Sequence, residues 1–179
     1  MRIEALLCAL LIPALGWASE VAEPEGYRMD AFRAPVPATL AGAEVIDTTR
    51  ARALWESGDA VFVDVFPRPP KPANLPEDTL WIDKPRDTIP GTYWLPNTGY
   101  GALSESALGY LTVGLMAASG GDPAAALVIF CQRDCWMSWN AAKRAMVELG
   151  YTTVLWYPDG LDGWGEAGLP LETMQPWDG

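Results

Sequence analysis

The chain has 179 residues, half of them apolar, which suits one domain with an ordinary core and leaves little room for two. Twelve basic against 23 acidic side chains give a formal charge of −11, so phosphate backbones would be repelled and nucleic acid is not an expected partner. Histidine is absent, which excludes a Ser-His-Asp triad, the Cys-Cys-His haem attachment motif and every zinc site that needs imidazole.

The chain opens with Met1-Arg2, an apolar stretch from Ala5 to Leu15, and the small-residue pattern of Gly16-Trp17-Ala18. This predicts a cleaved signal peptide over residues 1–18; the stretch is short for a span of about 20 residues, and Pro13 interrupts its end. Stable membrane insertion after cleavage is not expected, and the location predicted is an oxidising, periplasm-like compartment. Cleavage removes Cys8 and leaves Cys131 and Cys135, whose pairing state becomes a functional question.

Residues 19–42, with Pro24, Pro35 and Pro37 and no sustained periodicity, read as an irregular arm whose order would need tertiary contacts. Val45-Ile46-Asp47 is a short strand candidate, and Thr48 to Trp55 a short capped helix ending near Gly58. Asp59 through Val65 reads as a strand buried on both faces. Six prolines between Pro67 and Pro85 predict a stiff surface loop within an insertion over 67–88. A short strand follows Ile89-Pro90-Gly91, and Ser104 to Ala118 carries a helical pattern. Ala126 to Phe130 is the strongest strand in the sequence, with Cys131 at its carboxyl end. Trp139 to Leu149 reads as a helix followed by Gly150, Thr152 to Trp156 as a strand, and the Gly/Asp-rich stretch from Pro158 to Gly168 as the close of a domain spanning 43–172. Residues 173–179 are left as a tail.

Alternating apolar strands and helices predict an α/β fold, a mainly parallel sheet covered by helices on both faces, with its site outside the carboxyl ends of the strands. That rule points to Cys131. A strand-end loop with inward amides, followed by a helix N-terminus, would favour its thiolate. Cys135 admits two readings, a resolving thiol or a structural staple. Around them Gln132, Arg133, Asp134, Trp136 and Ser138 are candidate substrate-binding residues. Two thiolates near Met137 could also hold a soft ion such as Cu(I), although no further Cys or His completes a usual shell; the site prediction itself includes no metal and no cofactor. Asp47, Asp64 and Trp164 read as fold residues.

The order of these pieces resembles the rhodanese homology domain over residues 43–172. Val45-Ile46-Asp47 and Phe62-Val63-Asp64-Val65 look like its first strands, Ile89-Pro90-Gly91 like its turn, Val128-Ile129-Phe130-Cys131 like its nucleophile strand, and Gly160-Leu161-Asp162-Gly163-Trp164 like its close. More narrowly, the run from Cys131 to Ala145, with Arg68-Pro69-Pro70 and Asp83-Lys84-Pro85-Arg86 upstream, is similar to the PQQ-dependent catabolism-associated CXXCW-motif proteins. That resemblance implies an exported protein associated with periplasmic quinoprotein alcohol oxidation. It implies thiol, persulfide or sulfurtransferase chemistry at Cys131, with a small sulfur donor, a protein thiol or disulfide, or components of a PQQ-dependent dehydrogenase system as partners. The alternative is a non-catalytic accessory module in which Cys131 and Cys135 form a staple. The loop departs from ordinary rhodaneses at Trp136, which stands where they place a cation, and this makes thiosulfate an unpromising donor.

Overall fold

A computed structural model describes residues 21–69, 72, 74–76, 79 and 84–179; the expected signal peptide, Cys8 and much of the Pro-rich loop lie outside them. The elements run β1 (Glu44–Val45), α1 (Thr48–Ser57), β2 (Val61–Asp64), β3 (Arg86–Thr88), β4 (Tyr93–Trp94), α2 (Glu105–Ala118), β5 (Leu127–Phe130), α3 (Trp136–Val147), β6 (Val154–Tyr157), α4 (Gly160–Glu166) and β7 (Glu172–Met174). Five strands form one parallel sheet in the order β1-β6-β5-β2-β4. The expected mainly parallel α/β architecture is present.

Strand alternation explains the two cores. Leu127 and Ile129 of β5 face one side with Val63, Val154, Trp156, Leu111 and Leu115, beneath α2 and α3. Val128 and Phe130 face the other with Phe62, Leu155, Tyr157, Leu54 and Trp164, beneath α1 and α4. Because successive side chains of a strand point to opposite faces, a continuous apolar run such as Leu127–Phe130 serves both layers at once. All four of its residues are buried.

Helix termini follow their capping residues. The Asp47 carboxylate accepts from the Arg50 amide at 2.8 Å, and Gly58 takes the left-handed conformation at the far end of α1. Ser104 accepts from the Ala107 amide and starts α2. Among the described residues, no helix is long and apolar enough to cross a membrane.

Three features depart from expectation. First, α3 begins at Trp136 rather than Trp139, so Cys135 is its N-cap residue; Trp136 is buried against the arm, with its indole on the Pro35 carbonyl, a contact that local periodicity does not show. Second, the closing Gly/Asp-rich stretch folds as α4, with Trp164 buried and its indole donating to the Pro170 carbonyl at 2.8 Å. Third, the insertion and tail are not irregular throughout. Arg86–Thr88 pairs antiparallel with Glu172–Met174 as a separate two-stranded sheet, a long-range pairing that local pattern does not encode. The tail is tied further by the Trp177 amide, which donates to the Trp94 carbonyl at 2.9 Å.

The arm is ordered against α3, and the order comes from tertiary contacts. Trp136 and Trp139 pack edge to face with centroids 5.4 Å apart, and their indoles donate to the carbonyls of Pro35 and Thr39. Lys143 donates to the carbonyls of Pro24, Glu25 and Gly26, and the Arg144 guanidinium lies 4.1 Å from the Tyr27 ring centroid. Backbone polar groups that find no sheet partner must be satisfied elsewhere, and the side chains of α3 satisfy these.

Candidate active site

Cys131 follows β5 at the carboxyl edge of the sheet and is bonded to Cys135, with Cα atoms 6.4 Å apart. Both are buried, Cys131 completely and Cys135 to 99%. The loop between them turns at Asp134, which adopts a positive φ of 54°. Two bridges hold it: Gln132 pairs with Gly160 at the start of α4, and Cys135 pairs with Arg33 of the arm. The Leu161 amide donates to the Cys131 carbonyl at 3.0 Å, and Gly160 approaches so closely that a Cβ there would stand 2.6 Å from that oxygen.

Two of the loop's amides are taken by partners outside it. The Arg133 amide donates to the Asp162 carboxylate at 3.0 Å, and the Trp136 amide donates to the Phe32 carbonyl at 2.9 Å. Insertion of the arm beside the loop and of α4 beneath it draws these donors outward. The N-cap shift has a parallel effect on charge. The partial positive end of α3 lies at Cys135, whose side chain stands where a capping group accepts from the amides two and three residues on.

The candidate substrate-binding residues are brought together in sequence but not around an open site. Arg133 is exposed in part, yet its guanidinium forms a double contact with Glu166 at 2.6 and 2.7 Å and another with Asp159 at 3.2 Å. These carboxylates raise its already high pKa and hold the Glu166 carboxyl below its ordinary range. Gln132 accepts from Arg33, and the Asp134 carbonyl accepts from the Ala34 amide. Ser138 is buried, donating to the Cys135 carbonyl and accepting from the Trp156 indole, both at 3.0 Å. Trp136 is buried under the arm, with the Arg28 guanidinium 5.2 Å from its ring centroid. The soft-ion reading needs two thiolates; here the two sulfurs are bonded to each other.

A groove runs from the surface up to Cys135. Its volume is about 360 Å³, and it is lined by Ala31, Phe32, Arg33, Pro67, Tyr100, Met137 and Cys135. Of the lining residues the sequence singled out Cys135 and Met137 and missed the rest, because three belong to the arm and lie roughly a hundred positions from the cysteines. Phe32 and Tyr100 meet edge to face at 5.2 Å. The Pro67 wall is fixed from below: the Phe66 amide donates to Asp64 Oδ1 at 2.8 Å, and the Trp94 indole donates to the Phe66 carbonyl at 2.9 Å. Asp64 also meets Arg86 at 2.6 Å and the Thr88 hydroxyl at 2.8 Å; burial pushes its carboxyl up, opposed by Arg86.

Fold and site together define an α/β domain with a buried disulfide at the carboxyl edge of a parallel sheet. Solved structures similar to it include a polysulfide-sulfur transferase homodimer from Wolinella succinogenes, 22% identical with a TM-score of 0.45, over 74% of this chain and 80% of that one. Another is a thiosulfate sulfurtransferase from Pseudomonas aeruginosa, 17% identical with a TM-score of 0.48, over 75% of this chain but 21% of that one. A human single-domain sulfurtransferase is 22% identical with a TM-score of 0.42, over 69% of this chain and 96% of that one. No protein-family profile matches the sequence, and no curated protein sequence is significantly similar to it.

Proposed function

We propose that this is an exported, rhodanese-like thiol protein whose Cys131–Cys135 pair cycles between disulfide and dithiol, exchanging with a protein thiol, a small thiol or a sulfane-sulfur carrier. The observation that carries this is the groove ending on Cys135, at the sheet edge where α/β proteins place their sites. The reading of place is the periplasm, supported by the N-terminal pattern of residues 1–18, and the reading of pathway is periplasmic PQQ-dependent alcohol oxidation, supported by the likeness of Cys131–Ala145 to the CXXCW-motif proteins.

Equilibration of the purified protein in glutathione redox buffers, followed by alkylation and mass measurement, tests it. An exchange pair should have a potential above about −300 mV, the region that structural disulfides fall below. A pair that remains oxidised below that value would instead favour a second reading, an accessory binding module with a stapled loop. The burial of both cysteine residues is the observation in its favour.

A further inference from the structure

The two sulfurs are not equivalent toward an incoming reagent. Cys131 is wholly buried, between β5 and the Gly160–Leu161 turn that closes on its carbonyl. Cys135 forms part of the wall of the groove, and Cys131 does not. Cys135 is also the N-cap of α3, yet in the disulfide its side chain makes no capping hydrogen bond. A thiolate released there stands at the position from which an N-cap side chain accepts from the amides two and three residues on, those of Met137 and Ser138. The groove is apolar in Ala31, Phe32, Pro67, Tyr100 and Met137, with one cation, Arg33. Among the described residues the Arg33 guanidinium meets only the neutral Gln132 side chain, at 2.9 Å, so a positive charge stands uncompensated at the groove in a chain of net charge −11.

We propose that Cys135 is the sulfur that reacts with the partner thiol, that Cys131 is the buried resolving sulfur, and that Arg33 favours thiols carrying a carboxylate. This rests on the reading of the pair as an exchange disulfide. The partner's thiolate attacks Cys135 Sγ, a partner–Cys135 disulfide forms as the Cys131–Cys135 bond breaks, and the electron pair leaves with Cys131 as its thiolate. A second partner thiol then attacks the mixed disulfide on its own side, freeing Cys135 as thiolate. The protein gains two electrons and two partner thiols become one disulfide. In the opposite direction Cys135 attacks and Cys131 resolves.

The intact oxidised protein is mixed with glutathione, quenched at short times with an alkylating agent, and mapped by peptide mass spectrometry. Glutathione on Cys135 with the alkyl group on Cys131, in at least tenfold excess over the reverse pattern, is the expected result. Equal labelling, or glutathione on Cys131, overturns the assignment. In a second measurement, Arg33→Gln should slow the reaction with glutathione about fivefold, the worth of one ion pair near 4 Å in water. The reaction with uncharged 2-mercaptoethanol should slow far less, and equal effects on both reagents overturn the role of Arg33. A potential below −300 mV would sink the exchange reading itself, whereas a normal potential with the wrong labelling pattern would sink only this assignment.

Discussion

Asn140 pairs with Arg28 as one strand residue pairs with another: the Arg28 amide donates to Asn140 Oδ1 and Asn140 Nδ2 donates to the Arg28 carbonyl, both at 2.9 Å. The same Nδ2 donates to the Gly99 carbonyl at 3.0 Å, so a single amide from the buried face of α3 joins the arm to the loop after β4. That bracket holds the arm where it forms one wall of the cysteine groove.

Asn140→Ala should therefore loosen the arm without removing the disulfide. Three hydrogen bonds are lost, and buried backbone groups are left to find new partners, at a cost of about 2–3 kcal/mol. Hydrogen exchange should quicken at residues 24–36 far more than in β5, and reduction of the disulfide by dithiothreitol should accelerate. Unchanged exchange in the arm would show that Lys143 and the two tryptophans hold it unaided.

Two groups of the arm give its attachment a pH window. Burial, and then the bond to Glu148, push the Tyr27 hydroxyl up to about 12 from an ordinary value near 10. A raised folded value means the bonded phenol stabilises the arm fully below pH 10, and that contribution is lost as pH rises through 12. Glu23 works from the acid side: the Thr39 hydroxyl and the Ala41 amide hold its carboxyl below the usual range. Its contribution is complete above the unfolded value near 4.3 and is lost as pH falls through the folded one. Ultraviolet titration should show Tyr27, Tyr110 and Tyr157 ionising late, since all three are pushed to about 12, and Tyr27→Phe should remove one late step. A late step that survives in full in that variant contradicts the assignment.

How the sequence came to show the sheet but not the groove follows from range. Leu127–Phe130 and the Val61-Phe62-Val63 run of β2 announce themselves because strands buried on both faces are rich in uninterrupted apolar residues. Gly58 marks the end of α1 by local chemistry that the chain shows, whereas Asp47, expected to close a strand, is the residue that caps the start of α1. The position of Cys135 at the start of α3 was hidden, since the residues that bury Trp136 and Trp139 lie at Pro35 and Thr39. The commitment of Arg133 was hidden in the same way, because its acceptors Asp159, Asp162 and Glu166 come together only when the Gly/Asp-rich stretch coils into α4.

Gly160 is the tightest joint between α4 and the cysteine loop. Its φ is +50°, and a Cβ would stand 2.6 Å from the Cys131 carbonyl oxygen, a backbone atom that has no room to yield. Gly160→Ala should cost about 1–3 kcal/mol from conformational strain alone, and it should break the Leu161 to Cys131 hydrogen bond. Denaturant unfolding measures the loss. A change within about 0.5 kcal/mol, the range of an ordinary surface substitution, would show that α4 can shift freely against the loop.

Sulfur transfer from thiosulfate to cyanide should be slow, below about 1 per second, the low end of ordinary turnover. An oxyanion donor needs several inward amides together with a cation; Arg33 supplies a charge at the groove without those amides, and the Arg133 amide, the Trp136 amide and the Arg133 guanidinium are committed to partners within the fold. Replacing Glu166 by Gln should release part of that cation without creating a nest, so the activity of the variant should rise little. A large rise would show that Arg133 alone limits the reaction.

Reduction of the disulfide separates a working pair from a staple. Closing so short a loop restrains the unfolded chain little, and the chain-entropy relation for five residues gives about 2 kcal/mol. Part of that should return when Cys135 is freed to cap α3, because a side-chain acceptor at an N-cap contributes about 1 kcal/mol. The arm should stay in place, since its anchors at Asn140, Trp139 and Lys143 bind backbone carbonyls and not the sulfurs. The reduced protein should therefore remain folded, with a Tm lower by about 2–8 °C for a domain of this size, and with hydrogen exchange in residues 24–36 near that of the oxidised form. Calorimetry on both forms tests this directly. A loss well beyond 5 kcal/mol, or release of the arm on reduction, would mean that the fold depends on the bond, and a pair on which the fold depends cannot cycle.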